Sequence, residues 1–211
     1  NENNGHVFLP RNKLIAATVQ LLDCPANLVE QALDSLIDRG AVVQEQVANV
    51  EACYLRRLWE AEQSACIRMA GLLAADTDRS RQADRAVDEI QAQQGITYAP
   101  QQRQAVELAA RCGVLILTGG PGTGKTTTVR GIVALFRKMG LEIVLAAPTG
   151  RAAKRMSELT GMEAQTVHRM LGMSWNDVTH QVTFQKTEKE PLEADAVIVD
   201  EMSMVDLALF S

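Results

Sequence analysis

The sequence lacks a long hydrophobic run. No apolar stretch among its 211 residues approaches the ~18 that a membrane span needs. Its first five residues, Asn-Glu-Asn-Asn-Gly, have neither the basic nor the apolar part of a secretory signal. We therefore expect a cytoplasmic chain without a membrane partner, rather than a membrane or secreted protein.

Closely spaced cysteines are absent as well. The four cysteines, Cys24, Cys53, Cys66 and Cys112, are too far apart along the chain for the pairs that bind zinc or carry out redox exchange. We expect reduced thiols, most of them buried. There is no internal repeat or low-complexity tract, and a hydrophobic fraction of 46% is enough for the core of one or two domains.

Charge is distributed unevenly along the chain. The 21 basic and 26 acidic residues give a net charge of −5, which taken alone argues against a polyanionic partner. Residues 113–187, however, contain nine basic and four acidic side chains, a local balance of +5. Such a balance fits either a nucleic-acid partner or ordinary solvated helix faces, and the motifs in the same region favour the first.

Residues 1–56 have the pattern of a small winged-helix or three-helix domain. Apolar residues recur at helical spacing over residues 14–22 and again over residues 28–37. Acidic residues along the second helix leave two alternatives open, a structural or protein-docking role and contact with DNA. Two short apolar segments then have the pattern of a β-hairpin wing, residues 41–43 and 52–55.

The rest of the chain divides into two parts. Residues 57–97 are polar with one apolar helical face and predict a helical linker. Residues 98–211 alternate between strand and helix, the pattern of an α/β domain with a parallel sheet covered on both faces. The predicted buried strands are Val114–Leu117, Ile143–Ala146 and Ala196–Val199, and a hairpin pattern covers Trp175–Gln185.

Residues 119–126, Gly-Gly-Pro-Gly-Thr-Gly-Lys-Thr, match the phosphate-binding loop G-x-x-x-x-G-K-[ST] between a predicted strand and a helix. Glycines let backbone N–H groups turn toward phosphate oxygens, and the helix start attracts the same anions. Lys125 would neutralise the β- and γ-phosphates, and the hydroxyl of Thr126 would bind Mg²⁺. The candidate nucleotide-binding residues of this loop are Gly119, Gly120, Pro121, Gly122, Thr123, Gly124, Lys125, Thr126 and Thr127.

An acidic pair ends the last predicted strand. Asp200 and Glu201 follow Ala196–Val199 directly, and ligands of open α/β sheets bind at the carboxyl ends of strands. Asp200 would hold Mg²⁺, while Glu201 would orient and deprotonate an attacking water. Together with the phosphate-binding loop, this pair predicts a protein that hydrolyses a nucleoside triphosphate.

Further segments carry a resemblance to a known family. Residues 98–106 resemble the glutamine motif of superfamily 1 helicases, residues 147–155 resemble their motif Ia, and residues 166–169 resemble the Thr-x-His segment that follows it. Residues 200–206 most resemble motif II of the RecD/TraA family. Residues 5–10 and the unit after them also look like the small domain that precedes the motor in RecD-like helicases, so the resemblance extends over nearly the whole chain.

The resemblance implies an α/β fold of the P-loop, RecA-like type: a first motor lobe over residues 98–211, preceded by a small winged-helix domain. It implies an ATP- and Mg²⁺-dependent helicase that moves 5′ to 3′ on single-stranded DNA, at duplex junctions, in recombination or repair. A protein partner would dock on the N-terminal domain. Gln102 would contact the adenine. DNA would meet Pro148, Thr149, Gly150, Arg151, Thr166 and His168.

Plainer interpretations of some of these residues stay open. Gln102 could be an ordinary helix glutamine, residues 148–150 could be a turn with a helix cap, and His168 could be structural. At the level of the whole protein, a P-loop kinase, a ring-forming ATPase and an ATP-sensing or DNA-docking module remain alternatives. No acidic cluster in the sequence predicts a nuclease.

The sequence departs from the helicase pattern after motif II. The following Gly-Asp-x-x-Gln segment, the second motor lobe and its arginines are not found before Ser211. We therefore expect part of a larger protein, an incomplete lobe that binds nucleotide weakly, turns it over at near-background rates and self-associates through an exposed sheet edge.

Overall fold

The structure is a computed structural model that describes residues 5–75, 80–120, 122–176 and 181–211. It contains two compact units, one formed by Asn1–Ala70 with Asp206–Ser211 and the other by Gly71–Val205. The boundary between the units lies inside the segment for which the sequence predicts a helical linker.

The first unit is built on a three-stranded antiparallel sheet with the strand order β1-β3-β2. Ala48 and Asn49 connect β2 to β3 with φ values of 44° and 66°, the left-handed backbone of a two-residue hairpin turn. The helices and the hairpin lie where the sequence places them. The elements in chain order are β1 (Phe8–Pro10), α1 (Arg11–Leu22), α2 (Ala26–Asp38), β2 (Val42–Val47), β3 (Val50–Leu55) and α3 (Arg56–Ala74), which continues beyond the unit.

Most of the buried residues of the first unit lie on β3 and α2. Tyr54 on β3 is 2% exposed, and Val29 and Leu33 are the buried residues of α2. Arg11 at the start of α1 forms a 2.6 Å ion pair with Asp34 on α2 and a 2.8 Å hydrogen bond to Gln44 Oε1 on β2. These contacts connect both helices to the sheet. A groove of about 690 Å³ with mostly apolar walls remains open in this unit.

The second unit contains a parallel sheet with the strand order β5-β4-β8 and a separate antiparallel hairpin of β6 and β7. Its elements are α4 (Ser80–Gln94), α5 (Pro100–Ala109), α6 (Lys125–Lys138), β4 (Ile143–Ala147), α7 (Gly150–Thr160), β5 (Ala164–Thr166), α8 (Val167–Met170), β6 (Ser174–Asn176), β7 (Gln181–Thr183), β8 (Ala196–Val199) and a 3-10 turn (Met202–Met204). The last helix, α9 (Leu207–Phe210), groups with the first unit.

Three helices form the main core of the second unit. Val87 on α4, Val106 on α5 and Leu135 on α6 are fully buried in one apolar cluster. An ion pair of 2.8 Å between Arg111 and Asp84 connects the chain after α5 to α4. The sequence assigns α4 to a linker; it instead belongs to this core because its apolar face packs against α5 and α6.

The structure corrects two expectations about the sheet. Residues 114–117 do not form a strand, and Ile116 is 77% exposed. A strand needs hydrogen bonds to a neighbouring strand, and no described residue pairs with this segment. The sheet is also not covered equally on both faces. Leu145 and Ile198 pack in the cores beneath α6, whereas Val197, which points to the opposite face, stays 45% exposed.

Two further expectations concern single features. Cys53 is buried and Cys24 is half-buried, but Cys66 and Cys112 are exposed, so the prediction that most of the thiols are buried is wrong. Cys66 lies on α3, and Cys112 follows the end of α5. None of the helices in the described ranges is both long enough and apolar enough to cross a bilayer.

Candidate nucleotide and DNA site

The glycine-rich loop ends at the first residue of α6, as the motif requires. Gly122 and Gly124 have φ values of 75° and 82°, a left-handed backbone that glycine adopts without steric cost. A Cβ on Gly124 would collide with Nε2 of Gln102, and a Cβ on Gly119 would lie 2.6 Å from Oγ1 of Thr123. The loop therefore has no room for side chains at these positions, and its backbone is accessible to a ligand.

The polar side chains of the loop bind its own carbonyl groups. The ammonium group of Lys125 donates to the carbonyl of Gly119, and Oγ1 of Thr123 donates to the carbonyl of Gly120 at 2.9 Å. Lys125 is exposed, whereas Thr126 and Thr127 are half-buried. Phosphate oxygens can replace the carbonyl partner of Lys125 without any rearrangement of the helix. Pro121 lies outside the described residues.

The acidic pair lies at the carboxyl edge of the parallel sheet. Asp200 directly follows β8, and both carboxylates are exposed. Because α6 is joined to β4 by a short turn, the helix runs opposite to the strand, and its first turn lies toward the edge where β4 and β8 end. The topology thus brings Lys125 and Thr126 to the same edge of the sheet as Asp200 and Glu201.

Glu201 has a backbone feature that the sequence did not reveal. Its φ is 53°, a left-handed conformation that is uncommon for residues other than glycine. The N–H of Glu201 donates to Oδ1 of Asp200 at 2.9 Å, and Glu201 precedes the 3-10 turn. Unusual backbone conformations of this kind cluster at functional sites, where they orient a side chain.

Gln102 connects α5 to the glycine-rich loop. Its Oε1 accepts a hydrogen bond of 3.0 Å from the N–H of Ala99, which caps the start of α5. Its Nε2 donates to the carbonyl of Thr123 over 3.4 Å. One end of the Gln102 amide is therefore engaged in the cap of α5 and the other beside the loop, which fits a structural helix glutamine as well as a nucleotide contact.

The donor groups at this edge fit a magnesium-bound triphosphate. Magnesium prefers oxygen ligands and retains several waters, and Thr126 and Asp200 offer a hydroxyl and a carboxylate. In the described parts of the chain, no group of three or more His, Cys, Asp or Glu side chains could hold a metal by itself. Magnesium shared between one or two protein oxygens and phosphate oxygens matches this ligand set.

Two threonines lie at or just beyond the carboxyl ends of neighbouring strands in the same sheet. Ala147 on β4 lies opposite Thr166 on β5, and Thr149 follows two residues after Ala147. Oγ1 of Thr149 accepts from the N–H of Ala152 at 3.2 Å, and Oγ1 of Thr166 accepts from the N–H of Arg169 at 3.2 Å. Both threonines are helix caps, as the plainer interpretation of residues 148–150 held, and each hydroxyl hydrogen remains available to an anion.

The surface beyond these caps is basic. Pro148 is half-buried, while Gly150 and Arg151 are exposed at the start of α7. Lys154 and Arg155, which lie in the motif Ia segment but are not among the predicted DNA contacts, are exposed on the same helix. His168 is half-buried and lines a cavity of about 370 Å³ near the end of β5, together with Thr166, Arg169, Gly172, Met173 and Gln185.

A glycine-rich loop that opens a helix, beside a parallel sheet with an acidic pair at its carboxyl edge, defines a P-loop nucleotide-binding protein. The family model of an AAA domain matches residues 102–211, about half of the chain. The chain belongs to the RecD-like family of superfamily 1 helicases.

Three relatives illustrate this membership. The ATP-dependent RecD2 DNA helicase of Deinococcus radiodurans is 34% identical over 97% of this chain and 29% of its own length. The RecBCD enzyme subunit RecD of Mycolicibacterium smegmatis is 32% identical over 93% of this chain and 38% of its own length. The ATP-dependent DNA helicase dda of Enterobacteria phage T4 is 43% identical over 44% of this chain and 22% of its own length. The chain therefore spans about a third of the length of the first two.

Proposed function

We propose that the intact protein is an ATP-dependent DNA helicase that acts in DNA recombination or repair. The topology supports this proposal, because it directs the start of α6, the acidic pair and the capping threonines toward one edge of the parallel sheet. The names of the relatives, which are DNA helicases and RecBCD subunits, support the same activity. A cytoplasmic location fits a protein whose substrate is chromosomal DNA.

Each residue of the nucleotide site has a distinct role in this proposal. The backbone of the glycine-rich loop and Lys125 bind the phosphates, Thr126 and Asp200 hold magnesium, and Gln102 faces the adenine. Magnesium, when bound, would supply positive charge that offsets the charge of the phosphates. Glu201 accepts the proton of the attacking water, and its left-handed backbone orients the carboxylate for this.

The proposed DNA site uses phosphate contacts. The hydroxyls of Thr149 and Thr166, the N–H of Gly150 and the charge of Arg151 can all meet phosphates without reading the sequence of bases. His168 and Pro148 line the same edge. We propose single-stranded DNA next to a duplex junction as the substrate, with movement from 5′ to 3′, and we expect binding to be salt-sensitive and indifferent to sequence.

For the first unit we propose contact with a protein partner. Glu30 and Asp38 are exposed along α2, which disfavours a DNA backbone at this surface. The open groove has mostly apolar walls, and Leu22 and Leu28 at its rim are 64% and 54% exposed. Exposed apolar surface beside acidic side chains is better suited to a protein than to nucleic acid.

The activity is tested with Lys125→Ala in the intact protein. We expect this change to abolish unwinding of a duplex with a 5′ single-stranded tail. Binding of single-stranded DNA should stay within twofold, because Lys125 belongs to the nucleotide site and not to the proposed DNA site. The unaltered protein, given duplexes with 5′ and 3′ tails, reports the polarity. Unwinding that persists in Lys125→Ala would contradict the proposal.

A further inference from the structure

Tyr98 is a buried tyrosine just before α5, and its hydroxyl finds no hydrogen-bond partner among the described residues. The side chain is 5% exposed, and the backbone N–H donates to Oε1 of Gln91 at 2.8 Å. A buried hydroxyl without a partner is unfavourable. Packing of the ring, rather than a hydrogen bond of the hydroxyl, must therefore hold the side chain of Tyr98 in place.

The ring packs against a glycine in the middle of α6. A Cβ on Gly131 would lie 2.6 Å from the Tyr98 hydroxyl oxygen, 3.0 Å from its Cζ and 2.9 Å from Cγ2 of Val106 on α5. Glycine inside a helix is less favourable than alanine. Here its missing Cβ allows Tyr98 and α5 to approach the backbone of α6.

A second glycine, next to α6, meets Gln102. Gly124 is the residue just before α6. Gln102 Nε2 occupies the space that a Cβ on Gly124 would need and donates to Thr123. The chain from Tyr98 to Gln102 therefore approaches two glycines, Gly131 within α6 and Gly124 just before it. A shift of α6 at the first contact would move the glycine-rich loop relative to Gln102.

We propose that Tyr98 is a positioning residue of the nucleotide site. Its ring, packed against Gly131, sets the distance between α5 and α6 and thereby places the amide of Gln102 beside Thr123 and Gly124. This inference rests on the proposed function, in which Gln102 faces the adenine. Changes at Tyr98 and Gly131 should then weaken the contribution of the adenine base to ATP affinity. They should leave the contribution of the phosphates unchanged.

The test measures DNA-stimulated ATP hydrolysis by the intact protein and its inhibition by magnesium tripolyphosphate, which has no base. Tyr98→Leu and Gly131→Ala should each raise the KM for ATP about tenfold, the scale of one or two hydrogen bonds. The kcat should stay within about threefold and the inhibition constant of tripolyphosphate within about twofold, since the loop itself is unchanged. Tyr98→Phe keeps the ring and should behave like the unaltered protein.

Gly71→Ala is the matched control, because nothing lies within 4 Å of a Cβ at this helical glycine. A parallel rise in the KM and in the tripolyphosphate constant, or a fall in kcat alone, would overturn the inference and leave Tyr98 with a structural role only. If Gly131→Ala does not fold, Tyr98→Leu decides by the same criteria. An unaltered protein without ATP turnover would refute the proposed function, and this inference with it.

Discussion

The N–H of Asp200 donates to the carbonyl of Ala146 across a distance of 3.0 Å. This bond continues the pairing of β8 with β4 beyond the last residue of β8, so the acidic pair is held by the sheet rather than by a free loop. The bond aligns Asp200 with the end of β4, and the chain then turns at Glu201. We propose that the two exposed carboxylates act separately, Asp200 on the metal and Glu201 on the attacking water.

The different roles of the two carboxylates can be separated by isosteric amides. Glu201→Gln should lower kcat by about 10²–10⁴, the usual contribution of a general base, and leave the KM for ATP within about threefold. Asp200→Asn should instead raise the magnesium concentration needed for half-maximal activity. Steady-state ATPase assays over a magnesium titration report both effects. Glu201→Gln with normal turnover would show that another group accepts the proton.

The two ends of the Gln102 amide have separate tasks. Gln102→Glu keeps the oxygen that accepts from Ala99 but removes the donor to Thr123 and to the adenine, whereas Gln102→Ala removes both. We expect both variants to raise the KM for ATP about tenfold. Only Gln102→Ala should also lower the free energy of unfolding, by about 0.5–2 kcal/mol, because it loses the helix cap.

ATPase kinetics and urea denaturation of these two variants test this separation. A KM for ATP that stays unchanged in both would show that Gln102 serves the fold and not the nucleotide. Equal losses of stability in both would show that the oxygen of the amide is not what caps α5.

The threonine that caps α7 should contribute to DNA binding through its hydroxyl hydrogen. Thr149→Val removes the cap and the donor, whereas Thr149→Ser keeps both and serves as the matched control. We expect Thr149→Val to weaken binding of single-stranded DNA severalfold and Thr149→Ser to leave it nearly unchanged. Arg151→Gln should reduce the slope of log affinity against log salt by about 0.7, the value for one phosphate contact on a single strand.

Fluorescence anisotropy with labelled oligonucleotides at several salt concentrations measures both quantities. The same losses should occur on oligonucleotides of unrelated sequence, since phosphates carry no sequence information. A loss limited to one sequence, or a salt slope that Arg151→Gln does not change, would remove these residues from the DNA site.

Both tyrosines of the chain should resist ionisation while the protein is folded. Burial, with Glu62 and Glu45 nearby, raises the pKa of Tyr54 to about 12, and burial also raises the pKa of Tyr98 against the opposing charge of Arg130. The pKa of tyrosine in the unfolded chain is about 10. The folded state is therefore fully stable with respect to tyrosine ionisation below pH 10, and it loses stability as the pH rises toward 12.

Absorbance at 295 nm during an alkaline titration measures the tyrosinate. It should stay low at pH 10 and rise together with unfolding followed by circular dichroism. Tyr54→Phe should reduce the dependence of stability on pH above 10. A tyrosinate signal with a midpoint near 10 in protein that is still folded would contradict the burial of these rings.

Local patterns in the sequence predicted much of the fold. The strand Ala196–Val199 was predicted residue for residue because four apolar residues lie between acidic neighbours, and α6 began at Lys125 as the motif requires. Residues 114–117 have an equally apolar pattern, yet they form no strand, because a strand depends on a partner that may be far away in sequence. Pairing is a property of the whole sheet and cannot be read from one segment.

The candidate site shows the same division between local and long-range features. Glycine spacing identified the loop, since only a few residues in sequence are involved. The contact of Gln102 with Thr123 joins residues 21 positions apart, and the left-handed backbone of Glu201 has no signature in residue type. Both depend on how α5, α6 and β8 pack, and neither could be predicted from the motifs.

The most direct test of the account is a crystal structure of the protein with magnesium and a non-hydrolysable ATP analogue. We predict a single nucleotide with the ammonium group of Lys125 on its β- and γ-phosphates. The magnesium ion should lie about 2.1 Å from Oγ1 of Thr126, with Asp200 bound to it directly or through one water. A nucleotide bound away from the start of α6, or a magnesium ion with Asp200 on a distant surface, would contradict the central claim.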